Sequence, residues 1–192
     1  ELLKKYSKVY FLSENYIPAQ LSEIDTEHLY PGDKPMQVHT KVRSFLTKLL
    51  AAAEDDDIEL QIISAYRSFY EQESVKSGYS VTYGAGTANQ FSAEQGYSEH
   101  QLGTAIDFTT PETGAAFSKF SQTDAYTWLL KNAYRFGFIL SYPQGNTYYT
   151  FEPWHWRFVG VDLAKDLHEN EQYFYDMSQR DIDEYLISIF DR

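Results

Sequence analysis

Apolar residues recur at helical spacing in MQVHTKVRSFLTKLLAAAEDD, residues 36–56, through Val38, Val42, Phe45, Leu46, Leu49 and Leu50, which predicts an amphipathic helix. IELQIISAY, residues 58–66, alternates and then runs apolar, which predicts a strand. In SFYEQESVKSGYS, Ser68 and Glu71 form a capping-box pattern at the start of a second helix. Residues 84–100 read as loop, and LGTAIDF, residues 102–108, as a buried strand. TDAYTWLLKNAYRFG predicts a helix that stops at Gly137. FILSYP and TYYTFEPWHWRFVG read as strands flanking a turn at PQGN. VDLAKDLHE and SQRDIDEYLISIF read as helices. Helices lie before and after a run of adjacent strands, so the expected class is α+β, a small and mostly antiparallel sheet with helices packed around it. Residues 1–35, with Pro18, Pro31, Gly32 and Pro35, read as an extended arm packed on a domain of residues 36–192.

The length of 192 residues suits one domain that can bury its core without disulfides or a structural metal. A metal held here is then expected to serve chemistry rather than folding. With 28 acidic and 16 basic side chains the net charge is −12, a surface that repels phosphate backbones and anionic lipid and argues against both as partners, without forbidding a local basic pocket. There is no cysteine, so thiol catalysis and thiolate metal sites are excluded. No segment approaches the roughly 20 apolar residues of a membrane span, and no signal-peptide pattern is present. The opening ELLKKYSKVY lacks an initiating Met and reads as a mature or excised fragment, with room for a signal or anchor ahead of it.

Three of the five histidines have ordinary readings. His28 sits in the arm, His39 on the surface of the first helix, and His168 near a helix end, where a cation suits the dipole. His100 and His155 differ. His100 precedes Asp107 by seven residues, and His155 closes EPWH, with Glu152 three residues ahead. Two imidazoles and a carboxylate are the ligand set of a catalytic zinc that keeps one position open. Glu152 would then be free to act as general base beside the metal. Singly, each residue has a plainer account: Asp107 paired with an arginine, His100 a satisfied semi-buried histidine, Glu152 a turn residue before Pro153. Arg67, where SAYRS leaves a predicted strand, could stabilise a developing oxyanion or be a surface strand-end arginine.

SAYRSFYEQ, GYSEHQLGTAIDF, WLLKNAYRFGFILSYP and FEPWHWRFVG together resemble the VanY-like zinc D-alanyl-D-alanine carboxypeptidases, a family that includes LdcB-type L,D-carboxypeptidases. The resemblance covers most of the chain and implies the fold shared by D-Ala-D-Ala peptidases and the zinc domain of hedgehog proteins. It implies that His100, Asp107 and His155 bind Zn²⁺ and that Glu152 is the catalytic base. It implies that Arg67 steadies the scissile carbonyl, Ser98 helps hold the substrate carboxylate, and Gln72 lines the substrate groove. Ser141 and Trp156 depart from the family pattern, at positions more often Arg and Leu or Tyr.

The implied function is a D,D-carboxypeptidase that removes the terminal D-alanine from peptidoglycan stem peptides or their precursor. It would work as a monomer outside the cytoplasm, in the cell wall or periplasm. An L,D-carboxypeptidase acting on tetrapeptide stems shares the same zinc set. An endopeptidase or a D-Ala-D-Ala dipeptidase would also fit, as would a non-catalytic, zinc-containing wall-binding module. Tyr97, Trp154 and Trp156 are candidate walls of the substrate pocket or, equally, core residues.

Overall fold

The computed structural model describes residues 11–32, 34–83 and 93–190, with the side chains of 79–83 and 186–190 outside the description. The first ten residues of the expected arm and residues 84–92 of the expected loop therefore lie outside it. Among the described residues, strands β1 (Leu21–Glu23) and β2 (Gln37–His39) pair antiparallel. Helix α1 (Thr40–Asp55), strand β3 (Gln61–Ser64) and helix α2 (Phe69–Tyr83) follow. Then come β4 (Ala105–Thr109), α3 (Asp124–Asn132), β5 (Phe138–Leu140), β6 (His155–Phe158), α4 (Val161–Glu169) and α5 (Gln179–Phe190). The second sheet has the order β3-β4-β6-β5, with every pairing antiparallel. The α+β expectation holds.

Several bounds differ from the sequence reading: the strand expected over 102–108 is Ala105–Thr109, that expected over 138–143 is Phe138–Leu140, and two further elements change more. The helix expected from residue 36 starts at Thr40, because Gln37–His39 extend to pair with β1. His39 is not a surface histidine: it is 3% exposed and caps α1, its Nδ1 accepting from Lys41 N at 3.2 Å. The strand expected over 147–160 is confined to His155–Phe158. Pro153 cannot donate to a ladder, and the segment before it turns instead. The capping box forms: Ser68 N donates to Glu71 Oε2 at 2.7 Å, and Glu71 N donates to Ser68 Oγ at 3.3 Å.

The register of β4 against β6 decides where the chemistry lies. Ile106 faces Trp156 and Asp107 faces His155, so alternate residues go to opposite sides of the sheet. Ile106, Phe108, Trp156 and Phe158 point into the hydrophobic core. Phe45 of α1 meets the Phe158 ring there at 4.9 Å, and Phe138 of β5 meets it at 5.4 Å. Asp107, His155 and Arg157 share the other side. Gly103 fits this layer closely to the first sheet: it has φ +70°, and a Cβ there would lie 3.2 Å from His39 N. The arm joins the same region, since Leu12 N donates to Gly96 O at 2.7 Å.

Candidate active site

His100 lies on a one-turn 3-10 helix, Glu99–Leu102, which carries it against the end of β3. Its Nδ1 donates to the Ala65 carbonyl at 2.6 Å, which leaves Nε2 as the ring's acceptor. That Nε2 is 3.2 Å from Asp107 Oδ2, and His155 Nδ1 is 2.9 Å from Asp107 Oδ1. One donor atom from each of His100, Asp107 and His155 lies within 4.8 Å of the others, and all three residues are buried. A cavity opens over this cluster. Its lining includes Arg67, Gln72, Ser98, Tyr142, Glu152 and Trp154.

The charges around the cavity are strongly shifted. Burial lowers His100 to about 4, helped by the charge of Arg67, so the ring is neutral near pH 7. Its Nε2 lone pair then faces a carboxylate oxygen, two acceptors in close approach. A cation between them removes that conflict, and two imidazoles with one carboxylate suit zinc by softness and number. Burial would raise Asp107, but His100 and His155 outweigh it and hold the carboxyl well below its usual range. For His155, burial opposes the charge while hydrogen bonds to Asp107 and Glu99 raise the ring to about 10. Glu152 goes the other way. Burial raises it to about 7, His155 and Arg67 opposing and Asp107 and Glu99 adding to the shift.

All seven residues singled out from the sequence line this one cavity. Arg67 is half-buried, its backbone N donates to His100 O at 3.3 Å, and its Nε has no hydrogen-bond partner among the described residues. Ser98 precedes the 3-10 helix without capping it through its side chain. Gln72 is buried, and its Nε2 donates to Ala93 O at 2.9 Å. Trp154 lines the cavity and packs on Phe117 at 5.1 Å. Trp156 does not: it is on the core side of β6, its indole N–H satisfied by Pro153 O at 3.0 Å. Tyr97 is half-exposed and packs on Phe11.

Sequence reasoning missed Glu99, Tyr142 and Arg157. Tyr142 stacks flat on His155, 4.8 Å between centroids and 3° between planes. Glu99 is 1% exposed and Arg157 is fully buried, paired at 2.7 Å. A glutamate between a serine and a histidine on a short turn carries no signal of burial, and an arginine within an apolar strand is its only hint.

A family described as VanY, D-alanyl-D-alanine carboxypeptidase, matches residues 35–161, more than half of the chain. The chain belongs to this family. Within the family's reach, it is 32% identical over 182 residues to the protein YodJ of Bacillus subtilis (strain 168), covering 90% of this chain and 67% of that one. It is 30% identical over 177 residues to a D-alanyl-D-alanine carboxypeptidase of Enterococcus faecalis (strain ATCC 700802 / V583), covering 86% and 63%. The chain thus spans about two thirds of the length of both relatives. Among solved structures it resembles the LdcB LD-carboxypeptidase, with a TM-score of 0.77 and 30% identity over 88% of this chain and 81% of that one. It also resembles a Zn(II) complex of the vancomycin-resistance D,D-pentapeptidase VanY, with a TM-score of 0.71 and 26% identity over 89% and 98%.

Proposed function

We propose that this chain is a zinc-dependent D,D-carboxypeptidase that removes the C-terminal D-alanine from peptidoglycan stem peptides. The observation that carries the reading is a buried carboxyl, Glu152, raised to about 7 beside a three-donor cluster at the floor of one cavity. His100 through Nε2, Asp107 through its carboxylate and His155 through Nδ1 would hold the metal. When bound, zinc supplies Lewis acidity, both to polarise a carbonyl and to acidify water. Glu152, with a pKa near the working range, takes the proton of the attacking water and returns it to the departing D-alanine amine. Arg67 brings its positive charge to the oxygen on which negative charge develops. Ser98 holds the terminal carboxylate, and Gln72 with Trp154 bounds the groove. The cavity is small, about 80 Å³, which suits a residue as small as D-alanine.

The substrate places the protein outside the cytoplasmic membrane. Among the described residues no helix is long and apolar enough to cross a membrane.

A second reading, an L,D-carboxypeptidase acting on tetrapeptide stems, is supported by the likeness to LdcB. D-Alanine release from a stem pentapeptide and a stem tetrapeptide, with and without chelator, separates the two. Zinc-dependent release from the pentapeptide is expected. Release from the tetrapeptide alone would establish the second reading, and release from neither with zinc present would leave a binding module.

A further inference from the structure

On the Nε2 side of His155, at the wall of the same cavity, lies a second buried cluster that the proposed reaction does not use. Its centre is Glu99. Oε1 of Glu99 accepts from Ser141 Oγ at 2.9 Å, Arg157 Nη1 at 2.7 Å and Tyr175 OH at 2.6 Å. Oε2 accepts from Ser141 Oγ at 2.7 Å and faces His155 Nε2 at 2.8 Å. Arg157 in turn lies over the Phe174 ring, 4.8 Å from its centroid. A carboxylate surrounded by donors in this way has only acceptor capacity to offer the imidazole.

We infer that Glu99 is a positioning residue: held by Ser141, Arg157 and Tyr175, it takes the Nε2–H of His155 and so turns the Nδ1 lone pair toward Asp107 and the metal. This inference rests on the reading of His100, Asp107 and His155 as metal ligands. Partners of this kind fix both the tautomer and the orientation of a ligating histidine, and their loss weakens metal binding by about 10- to 100-fold. The device draws on distant parts of the chain. Ser141 follows β5, Arg157 is on β6, and Tyr175 lies on the 3-10 turn Phe174–Asp176, beyond the residues 35–161 that match the family. Ser141, a departure from the family pattern in the sequence, here serves as a donor to Glu99 on both oxygens. The segment after α4 therefore contributes to holding a metal ligand that it does not itself contain. Tyr142, stacked flat on the His155 ring, adds a second contact that helps to orient the imidazole.

The test uses the whole chain loaded with Zn²⁺. Zinc affinity is measured by chelator competition for wild type, Glu99→Gln, Tyr175→Phe and Ser141→Ala, with ¹⁵N imidazole spectra of the wild-type protein. The expected results are a His155 proton on Nε2 in the zinc-loaded protein, an affinity loss of about 10- to 100-fold in Glu99→Gln, and smaller losses in the other two. Glu99→Gln leaves Arg157 buried beside a neutral partner, so it can fail to fold; the two milder variants then decide. A purely structural role would lower the unfolding midpoint and leave the affinity of the folded protein unchanged. The inference is overturned by a His155 proton on Nδ1, or by affinities within twofold of wild type in every variant that folds. Failure of the wild-type protein to bind zinc at all would instead overturn the reading of the site on which it rests.

Discussion

The two faces of the β4–β6 pair are built from the same nine residues of strand and could hardly differ more. On one face Ile106, Phe108, Trp156 and Phe158 pack into the hydrophobic core. On the other, Asp107, His155 and Arg157 are equally buried yet ionisable, and each meets a specific partner. The first face is held by area removed from water, which is non-directional and forgiving of shape. The second is held by paired charges, where removing one partner leaves the other stranded. The contrast assigns stability to one side of the sheet and chemistry to the other, with a single residue step between them.

The sharpest way to break that contrast is to alter the chemical side without touching the fold. Glu152→Gln keeps the shape of the side chain and removes its basicity. Turnover of the stem pentapeptide is expected to fall by about 10²- to 10⁴-fold, with zinc retained in a metal assay. The pH profile belongs to the same experiment. Glu152 must be ionised to accept a proton, and burial raises it from 4.5 to about 7. Activity in the wild type should therefore rise with pH and be lost as pH falls below this range, with the limb above the ordinary carboxylate value. A metal cation beside Glu152 moves the limb down from 7. A wild-type profile flat from pH 4 to 8 would remove Glu152 from the role of base.

The converse change is Phe158→Ala on the core face, where Phe158 is 2% exposed. The expected cost is about 3–5 kcal/mol of stability by chemical denaturation, while the molecules that remain folded bind zinc as tightly as wild type. A parallel loss of zinc affinity would show that the two faces are mechanically one unit. The smallest of the three effects is expected from Arg67→Gln. Its turnover should drop by about 10²- to 10³-fold, the loss typical of one oxyanion donor, and the drop should appear in kcat rather than KM. A change confined to KM would make Arg67 a ground-state binding residue.

Much of this architecture was legible in the sequence because it follows local rules. The 3.6-residue period located α1 and α3, the Ser68–Glu71 box located the start of α2, and Gly137, with φ +83°, ends the turn after α3. The residues that line the cavity stood out because histidines and carboxylates beside apolar segments are uncommon. What was not legible depends on partners far away in sequence. β1 and β2 are three residues each, too short for any period to register, and exist only because they find one another. His39 looked exposed because nothing near it in sequence announces that Gly103 closes over it. Glu99 reads as an ordinary surface acid until Arg157 and Tyr175, 58 and 76 residues further on, are brought to it.

The fully buried pairing of Glu99 with Arg157 also constrains how this sequence can change over generations. Exchanging either one alone strands a charge in the interior, a penalty of about 3–5 kcal/mol, which is a large share of the net stability of a domain this size. Exchanging both for a well-packed apolar pair need cost little in stability, but it would take away the acceptor beneath His155. Selection therefore sees the two positions as a single inherited character, and their divergence among functional descendants is expected to be joint and rare.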